Sequence, residues 1–145
     1  MSKAQWLADN LKPGEEYAGL ILGKNGEPDH HLILLPGEAE EVTFKQAEAW
    51  AKKQGGTLPT RREQSLLFAN LKESFQPRWY WSGERHASDS DYAWLQTFGN
   101  GNQYHWGTGS QGRARAVRRL EINSKPSNAE LSGAELAKRP TQTPG

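Results

Sequence analysis

Residues 55–63, Gly-Gly-Thr-Leu-Pro-Thr-Arg-Arg-Glu, decide the fold, because they end one predicted helix and begin the next. The two glycines stop the first helix. Pro59 keeps Leu58 extended, and we expect this leucine to enter the core between the two helices. Thr60 and Glu63 have the spacing of a capping box, in which each side chain bonds the backbone N–H of the other residue. The stretch therefore predicts two helices joined around a buried leucine.

The helix before this stretch begins with a second capping box, formed by Thr43 and Gln46. Phe44, Ala47 and Trp50 follow at helical spacing and share one side of the helix. The pattern predicts an amphipathic helix that ends at the two glycines.

A β-hairpin is predicted upstream of the helices. Residues 17–23 and 31–35 are apolar, partly β-branched runs, and the segment 24–29 between them is rich in turn-forming residues. We expect Ser2 to cap a short helix in the N-terminal segment, residues 1–16.

Short strands are predicted after the second helix, over residues 79–81, 92–98, 103–106 and 113–120. The last of these is expected to be one continuous strand. Because the helices are segregated from antiparallel strands, the fold class is α+β rather than a doubly wound parallel sheet.

The composition narrows the range of functions. The chain has 145 residues and a mass of 16.2 kDa, so we expect one domain, residues 17–120, followed by a solvated tail, residues 121–145. The net charge of +1 gives no global attraction to nucleic acid or membranes. The absence of cysteine excludes disulfides, thiolate metal sites and a cysteine nucleophile. The chain shows neither a signal peptide nor an apolar run long enough to cross a membrane, and we expect it to be soluble.

Several motifs of the chain resemble those of a known family when they are taken in order. They are an aromatic residue near the start of the first long helix with Trp50, Leu-Pro-Thr-Arg at 58–61 with Glu63, Tyr-Trp-Ser at 80–82, Phe-Gly at 98–99, and Ala-Arg-Ala-Val-Arg at 114–118. In this order they resemble the DUF1566 (Lcl C-terminal) family, whose members adopt a C-type-lectin-like fold. The hairpin over residues 17–35 is similar to that of phage and prophage members. Many members carry cysteines, and this chain departs from them there.

The resemblance implies a scaffold that presents a variable surface to a protein or glycan. It also implies that Arg115 and Arg118 are structural, pairing with carboxylates such as Glu63 or packing on tryptophan rings. The residues with expected structural roles are Trp50, Leu58, Pro59, Thr60, Glu63, Trp81, Arg115 and Arg118. The calcium-lectin and formylglycine-generating chemistries of related proteins find no matching residues, because Glu27-Pro28-Asp29 lies in the hairpin turn and cysteine is absent.

Two segments, residues 83–91 and 100–112, are expected to run as loops around the short strand 103–106 and to hold a macromolecular partner. The candidate binding residues are Arg85, His86, Asp89, Asp91, Asn102, Gln103, Tyr104, His105 and Trp106. Exposed aromatic residues beside Gln, Asn and His are typical of adaptable binding surfaces. We therefore expect a non-enzymatic binding module of phage or prophage origin, which works in the bacterial cytoplasm or on a virion and needs no metal or cofactor. A homo-oligomer is compatible with this hypothesis.

Two other functions stay open at this point. One is a phage accessory factor that acts on host nucleic acid or a host defence complex through an arginine-rich face, formed by Arg113, Arg115, Arg118, Arg119, Arg61, Arg62, Arg78 and Arg85. The other is a hydrolase that uses His86 or His105, for which the sequence offers neither metal-ligand spacing nor a nucleophile elbow around Ser82.

Overall fold

A computed structural model describes residues 2–122. This part of the chain has three α-helices, and its eight strands form two sheets, which confirms the α+β class. The helices are α1 Lys3–Asn10, α2 Phe44–Lys53 and α3 Arg61–Leu71, with a 3₁₀ turn at Lys72–Ser74. The strands are β1 Glu16–Ile21, β2 His30–Leu34, β3 Ala39–Val42, β4 Trp79–His86, β5 Asp89–Thr97, β6 Gln103–Gly107, β7 Gly112–Ala114 and β8 Val117–Glu121. No helix within residues 2–122 is long and apolar enough to cross a bilayer.

The strands form a three-stranded sheet, β1-β2-β8, and a five-stranded sheet, β3-β7-β4-β5-β6. The predicted hairpin is β1 and β2, and β8 pairs with β2, so both ends of the described chain meet in the small sheet. Neighbouring strands are antiparallel except β4 and β7, which pair in parallel at Tyr80 and Arg113.

The predicted helix caps are all present. The Ser2 hydroxyl accepts from the backbone N–H of Gln5 at the start of α1. Complete capping boxes begin α2 at Thr43 and α3 at Thr60. Local sequence chemistry therefore determines where the two long helices begin.

The core has two parts, which share the five-stranded sheet. On one face, α2 packs Phe44 edge-on against Trp81, whose indole N–H donates to the carbonyl oxygen of Val42 at 2.9 Å. On the opposite side, α3 and the small sheet enclose a cluster that contains Tyr80 and Phe98. The two long helices therefore pack against opposite faces of β4 and β5.

The turn between α2 and α3 lies directly on β8. Thr57 and Val117 exchange backbone hydrogen bonds of 2.9 and 2.8 Å, and Leu58 is buried as predicted. A β-carbon placed on Gly56 would lie 2.3 Å from the carbonyl oxygen of Val117. The second glycine of the 55–63 stretch is thus required by a close backbone approach as well as by the helix end.

Three predictions about the strands need correction. The expected continuous strand over 113–120 is divided at Arg115 into β7 and β8, which belong to different sheets. The expected loop over 83–91 is mostly strand, because β4 and β5 continue as an exposed two-stranded ribbon to His86 and Asp89. Both faces of such a ribbon meet water, so its polar composition resembles that of a loop. Strand β3 was missed because two glutamates interrupt its short apolar pattern.

The predicted domain boundary at residue 120 falls inside β8, which ends at Glu121. Residues 123–145 of the predicted tail lie outside the described part of the chain.

Candidate functional site

Helix α3 covers only one end of its face of the five-stranded sheet. Along β5, Gln96 is fully buried, Trp94 is half-buried and Tyr92 is 41% exposed. These residues alternate onto the same face. The exposed part of this face also carries Arg61 from α3, His86 from β4 and His105 from β6. We call these five residues, Arg61, His86, Tyr92, Trp94 and His105, the aromatic face.

Arg61 is fixed on the aromatic face by stacking and hydrogen bonding. Its guanidinium carbon lies 3.5 Å from the centroid of the Trp94 ring. Its Nε donates to Oε1 of Gln103 at 2.9 Å, and the Gln103 amide donates back to the Arg61 carbonyl oxygen at 2.9 Å. Such a stacked guanidinium has little rotamer freedom left to lose on binding.

A chain of amides connects Arg61 to the protein interior. The Gln103 amide nitrogen also donates to Oε1 of Gln96, and the Gln96 amide donates to the carbonyl oxygen of Gln64. The Gln64 amide in turn donates to the carbonyl oxygen of Tyr80. Gln64 and Gln96 are fully buried, so this network anchors the arginine to the rigid sheet.

The two histidines of the aromatic face surround Trp94. The His86 ring stacks on Trp94 with centroids 5.6 Å apart and an angle of 13° between the planes. The His105 ring meets Trp94 edge-on at 5.1 Å and His86 at 4.7 Å. Tyr92 closes the row with its ring 5.8 Å from His105. The packed rings form a continuous aromatic surface beside a fixed cation.

The chemistry of the aromatic face is suited to recognition. Within residues 2–122, the two terminal nitrogens of Arg61 have no hydrogen-bond partner, so they can receive a carboxylate or phosphate. The exposed ring of Tyr92 offers an apolar surface and a hydroxyl at low entropic cost.

The predicted binding residues divide between several places. His86, Gln103 and His105 lie on the aromatic face or support it, and Tyr104 stacks on His105 with centroids 4.5 Å apart. Asp89 and Asp91 lie at the start of β5, where the Asp91 N–H donates to the Asp89 carboxylate, and Asn102 lies in the turn before β6, where its N–H donates to the Asn100 side chain.

Arg85 and Trp106 lie on the opposite side of the sheet from the aromatic face. The Arg85 guanidinium lies 4.8 Å from the ring of Phe44 in α2. Trp106 packs against Trp79 and Trp81, with ring centroids 5.4 and 6.3 Å away. These two predicted residues therefore do not share a surface with His86 and His105.

Tyr92 and Trp94 were missed as binding residues by the sequence analysis, and Arg61 was named only as part of the arginine-rich face of the alternative function. The alternation along residues 92–98 already placed Tyr92 and Trp94 on one face, and that signal could have identified them. Arg61 carried no such signal, since its position at the start of α3 marks only the helix cap.

Apart from the aromatic face, a concave region lies at the start of α3, with a volume of about 570 Å³. Its polar centre is Glu63, which is 1% exposed. Glu63 accepts hydrogen bonds from the Thr60 N–H, from His30 and from Arg119. Burial raises the pKa of Glu63, but the hydrogen bonds from Arg119 and Thr60 outweigh it and hold the pKa below its usual value. The carboxylate is thus ionised and fully bonded, an arrangement that stabilises the fold rather than one that exchanges protons.

The arginines of the last two strands are used inside the protein. Arg113 pairs with Glu38, Arg118 with Glu15 and Arg119 with Glu63. Arg115 donates to the carbonyl oxygens of Ser74 and Leu35 and lies 5.3 Å from the ring of Phe75. Arg118 therefore pairs with a carboxylate, as the resemblance implies, but neither Arg115 nor Arg118 holds Glu63. Arg119 takes that place, because the strand is interrupted between β7 and β8. The side chains of β8 therefore do not continue the alternation of β7. Arg113 lies in β7, Arg118 and Arg119 lie in β8 of the other sheet, and Arg115 lies between the two strands, so the four arginines do not form one free basic face.

Comparison with known proteins adds no assignment, since no family model matches the chain and no curated protein matches it. Within residues 2–122, no group of three or more His, Asp or Glu side chains is placed to hold a metal ion.

Proposed function

We propose that the chain is a non-enzymatic binding module, which holds a protein or glycan partner on the aromatic face. The observation that carries this proposal is Arg61, which is stacked on Trp94, locked by Gln103 and unbonded at its terminal nitrogens within residues 2–122. A cation fixed in this way beside exposed aromatic rings has the composition of a binding hot spot.

The support around the aromatic face favours binding by a rigid surface. Trp94 and Tyr92 lie on β5, which is paired on both sides, and Arg61 is connected to buried amides. A preorganised surface loses little side-chain entropy when a partner binds. Because the rings lie on the open surface of a sheet, a macromolecular partner fits them better than a small molecule, which needs a concave site.

The proposal also covers the biological source of the protein and the location where it acts. The order of elements, a hairpin, two helices and a cluster of short strands, is the order that the resemblance to phage and prophage proteins of C-type-lectin-like fold implies. We therefore propose a phage or prophage module that acts in the bacterial cytoplasm or on a virion.

The test compares four immobilised proteins on a glycan array and on purified host surface and cytoplasmic proteins. The proteins are the natural chain, Tyr92→Ala, Arg61→Ala and the control Arg62→Ala. Arg62 is the neighbouring exposed arginine, and it bonds the carbonyl oxygen of Leu22 away from the aromatic face. We expect the natural chain and Arg62→Ala to bind one partner in a dose-dependent way. The two aromatic-face variants, Tyr92→Ala and Arg61→Ala, should bind the same partner about tenfold more weakly or worse.

Two results would contradict the proposal. One is a partner that binds all four proteins equally. The other is steeply salt-dependent binding of single-stranded nucleic acid that the aromatic-face variants retain, which would favour the accessory-factor function.

A further inference from the structure

The free edges of the two sheets differ in how they are protected. An exposed edge strand attracts other strands, and natural proteins block it with bulges, charges or covering segments. The edge strand β1 carries a bulge, since its register shifts between Tyr17 and Gly19 and Gly19 has a φ of +129°. The edge strand β3 is short and contains two glutamates, of which Glu41 has a φ of +52°. Both strands are poor templates for a further strand.

The outer edge of β8 is covered by the turn between α2 and α3. Thr57 pairs with Val117 through both backbone groups. Farther along β8, the Arg119 side chain donates to the Leu58 carbonyl oxygen and to the Thr57 hydroxyl. This edge is therefore closed by the chain itself.

Strand β6 has little of this protection within residues 2–122, where the Gly107 carbonyl oxygen alone among its outward backbone groups is bonded, by the Ser110 N–H at 2.9 Å. It pairs with β5 alone, and its sequence, Gln103-Tyr104-His105-Trp106-Gly107, contains no proline, lysine, arginine or carboxylate. Its register with β5 is regular over all five residues. Tyr104 is 56% exposed beside this edge, the second-highest value among the large exposed apolar side chains.

The backbone groups that β6 leaves free follow from the hydrogen bonds at its two ends. The N–H of Thr97 donates to Asn102, and the N–H of Thr108 donates to Asp91. Because bonded and non-bonded pairs alternate in an antiparallel ladder, Tyr104 and Trp106 bond to β5. The backbone groups of Gln103 and His105 point away from the sheet, and within residues 2–122 they have no partner.

We propose that β6 pairs antiparallel with β6 of a second copy of this chain, which makes a ten-stranded sheet across a two-fold axis. The axis passes beside His105, and the N–H of each His105 donates to the carbonyl oxygen of His105 in the other copy. Gln103 then lies opposite Gly107, which leaves room for the glutamine side chain. The inference goes beyond the proposed function and does not depend on it.

The side chains favour a second copy over a foreign strand. Around a two-fold axis beside His105, Tyr104 of each copy lies opposite Trp106 of the other, so the same aromatic pair forms twice. Strand β6 contains no Lys, Arg, Asp or Glu, so pairing with itself brings no like charges together.

The pairing also accounts for the exposed tyrosine. Residues opposite each other in adjacent strands have side chains on the same face, so Tyr104 of one copy packs beside Trp106 of the other. The two aromatic faces then lie on one continuous sheet, where a repetitive partner can bind both at once.

The first test measures mass by sedimentation equilibrium over a wide range of concentrations. We expect the natural chain to reach twice its 16.2 kDa mass. Tyr104→Lys places a charge at the proposed interface and should weaken the dimer about tenfold or more. Leu22→Lys is the matched control, since Leu22 is 59% exposed and directly follows β1 of the other sheet, and this variant should dimerise like the natural chain.

The second test needs no variant and follows backbone amide exchange by NMR at low and high concentration. We expect the amides of Gln103 and His105 to become protected as the concentration rises, while those of Leu20 and Leu22 stay unchanged. A monomer at every concentration would overturn the inference, as would a dimer that Tyr104→Lys leaves intact or that Leu22→Lys disrupts. Partner binding by the aromatic face of a strictly monomeric chain would overturn the dimer and leave the proposed function standing.

Discussion

Arg119 donates to both carboxylate oxygens of Glu63, from Nε at 2.6 Å and from a terminal nitrogen at 2.7 Å, although the two residues are 56 positions apart. The same carboxylate accepts from the Thr60 N–H at 2.8 Å and from His30 at 2.6 Å. One buried side chain therefore connects β8, β2 and the first turn of α3.

Glu63→Gln should destabilise the fold by about 2–4 kcal/mol at neutral pH, because it removes one partner of a largely buried ion pair. The amide keeps the size of the side chain but cannot accept from Arg119, His30 and Thr60 with the strength of a carboxylate. Urea unfolding measures the change. Glu48→Gln on the exposed side of α2 is the control, and its effect should stay within about 0.5 kcal/mol.

The lowered pKa of Glu63 gives this contribution a definite pH dependence. The stabilisation is fully present above the unfolded pKa of about 4.3 and is lost as the pH falls through the lower folded value. The difference in the free energy of unfolding between the natural chain and Glu63→Gln should therefore become smaller as the pH falls below about 5. A gap that stays constant down to the acid transition would show that the ionised carboxylate is not the stabilising group.

Arg118 connects the N-terminal segment to β8. Its Nε and one terminal nitrogen donate to Glu15 at 3.0 and 2.8 Å, and that nitrogen also donates to the Asn10 carbonyl oxygen at 2.7 Å. The hydrogen bond from Arg118 is the main cause of the lowered pKa of Glu15. The α1 segment is thus attached by a bidentate pair at its carboxyl end.

Arg118→Ala should release α1 while leaving the two sheets folded. We expect the amides of Trp6 and Leu7 to exchange about tenfold faster or more, which corresponds to a local loss of about 1.4 kcal/mol. The amides of Leu32 and Leu95 should be affected much less, and they serve as internal controls. Equal acceleration at all four positions would instead indicate that Arg118 stabilises the whole fold.

The parts of the fold that the sequence predicted well are those with local causes. The capping boxes at Thr43 and Thr60 involve residues three positions apart, and the β1–β2 hairpin involves neighbouring strands. Each can be recognised because its partner residues lie in the same short stretch.

The errors came from contacts between distant residues. Nothing near Arg119 in the sequence distinguishes it from Arg115 or Arg118 as the partner of Glu63, because the break between β7 and β8 sets which arginine faces α3. Arg61 likewise reaches Trp94 only after α3 has packed on the sheet. His86 and His105 were predicted as binding residues, but their position around Trp94 depends on the β4–β5–β6 register.

Tyr104 and Trp106 were predicted to act together, and the structure separates them. Trp106 packs against Trp79 and Trp81, whereas Tyr104 is 56% exposed and stacks only on His105 among the aromatic rings of residues 2–122. Trp106→Ala should cost about 2–4 kcal/mol, because it leaves a gap beside two packed rings.

Tyr104→Ala should cost less than about 1 kcal/mol when unfolding is measured at low micromolar concentration, where contacts between copies contribute little. Thermal and urea unfolding of the two variants, with Leu22→Ala as an equally exposed control, measure the difference. If Tyr104→Ala were as destabilising as Trp106→Ala, Tyr104 would belong to the core of the single chain. Its side chain would then not be free for a partner at the β6 edge.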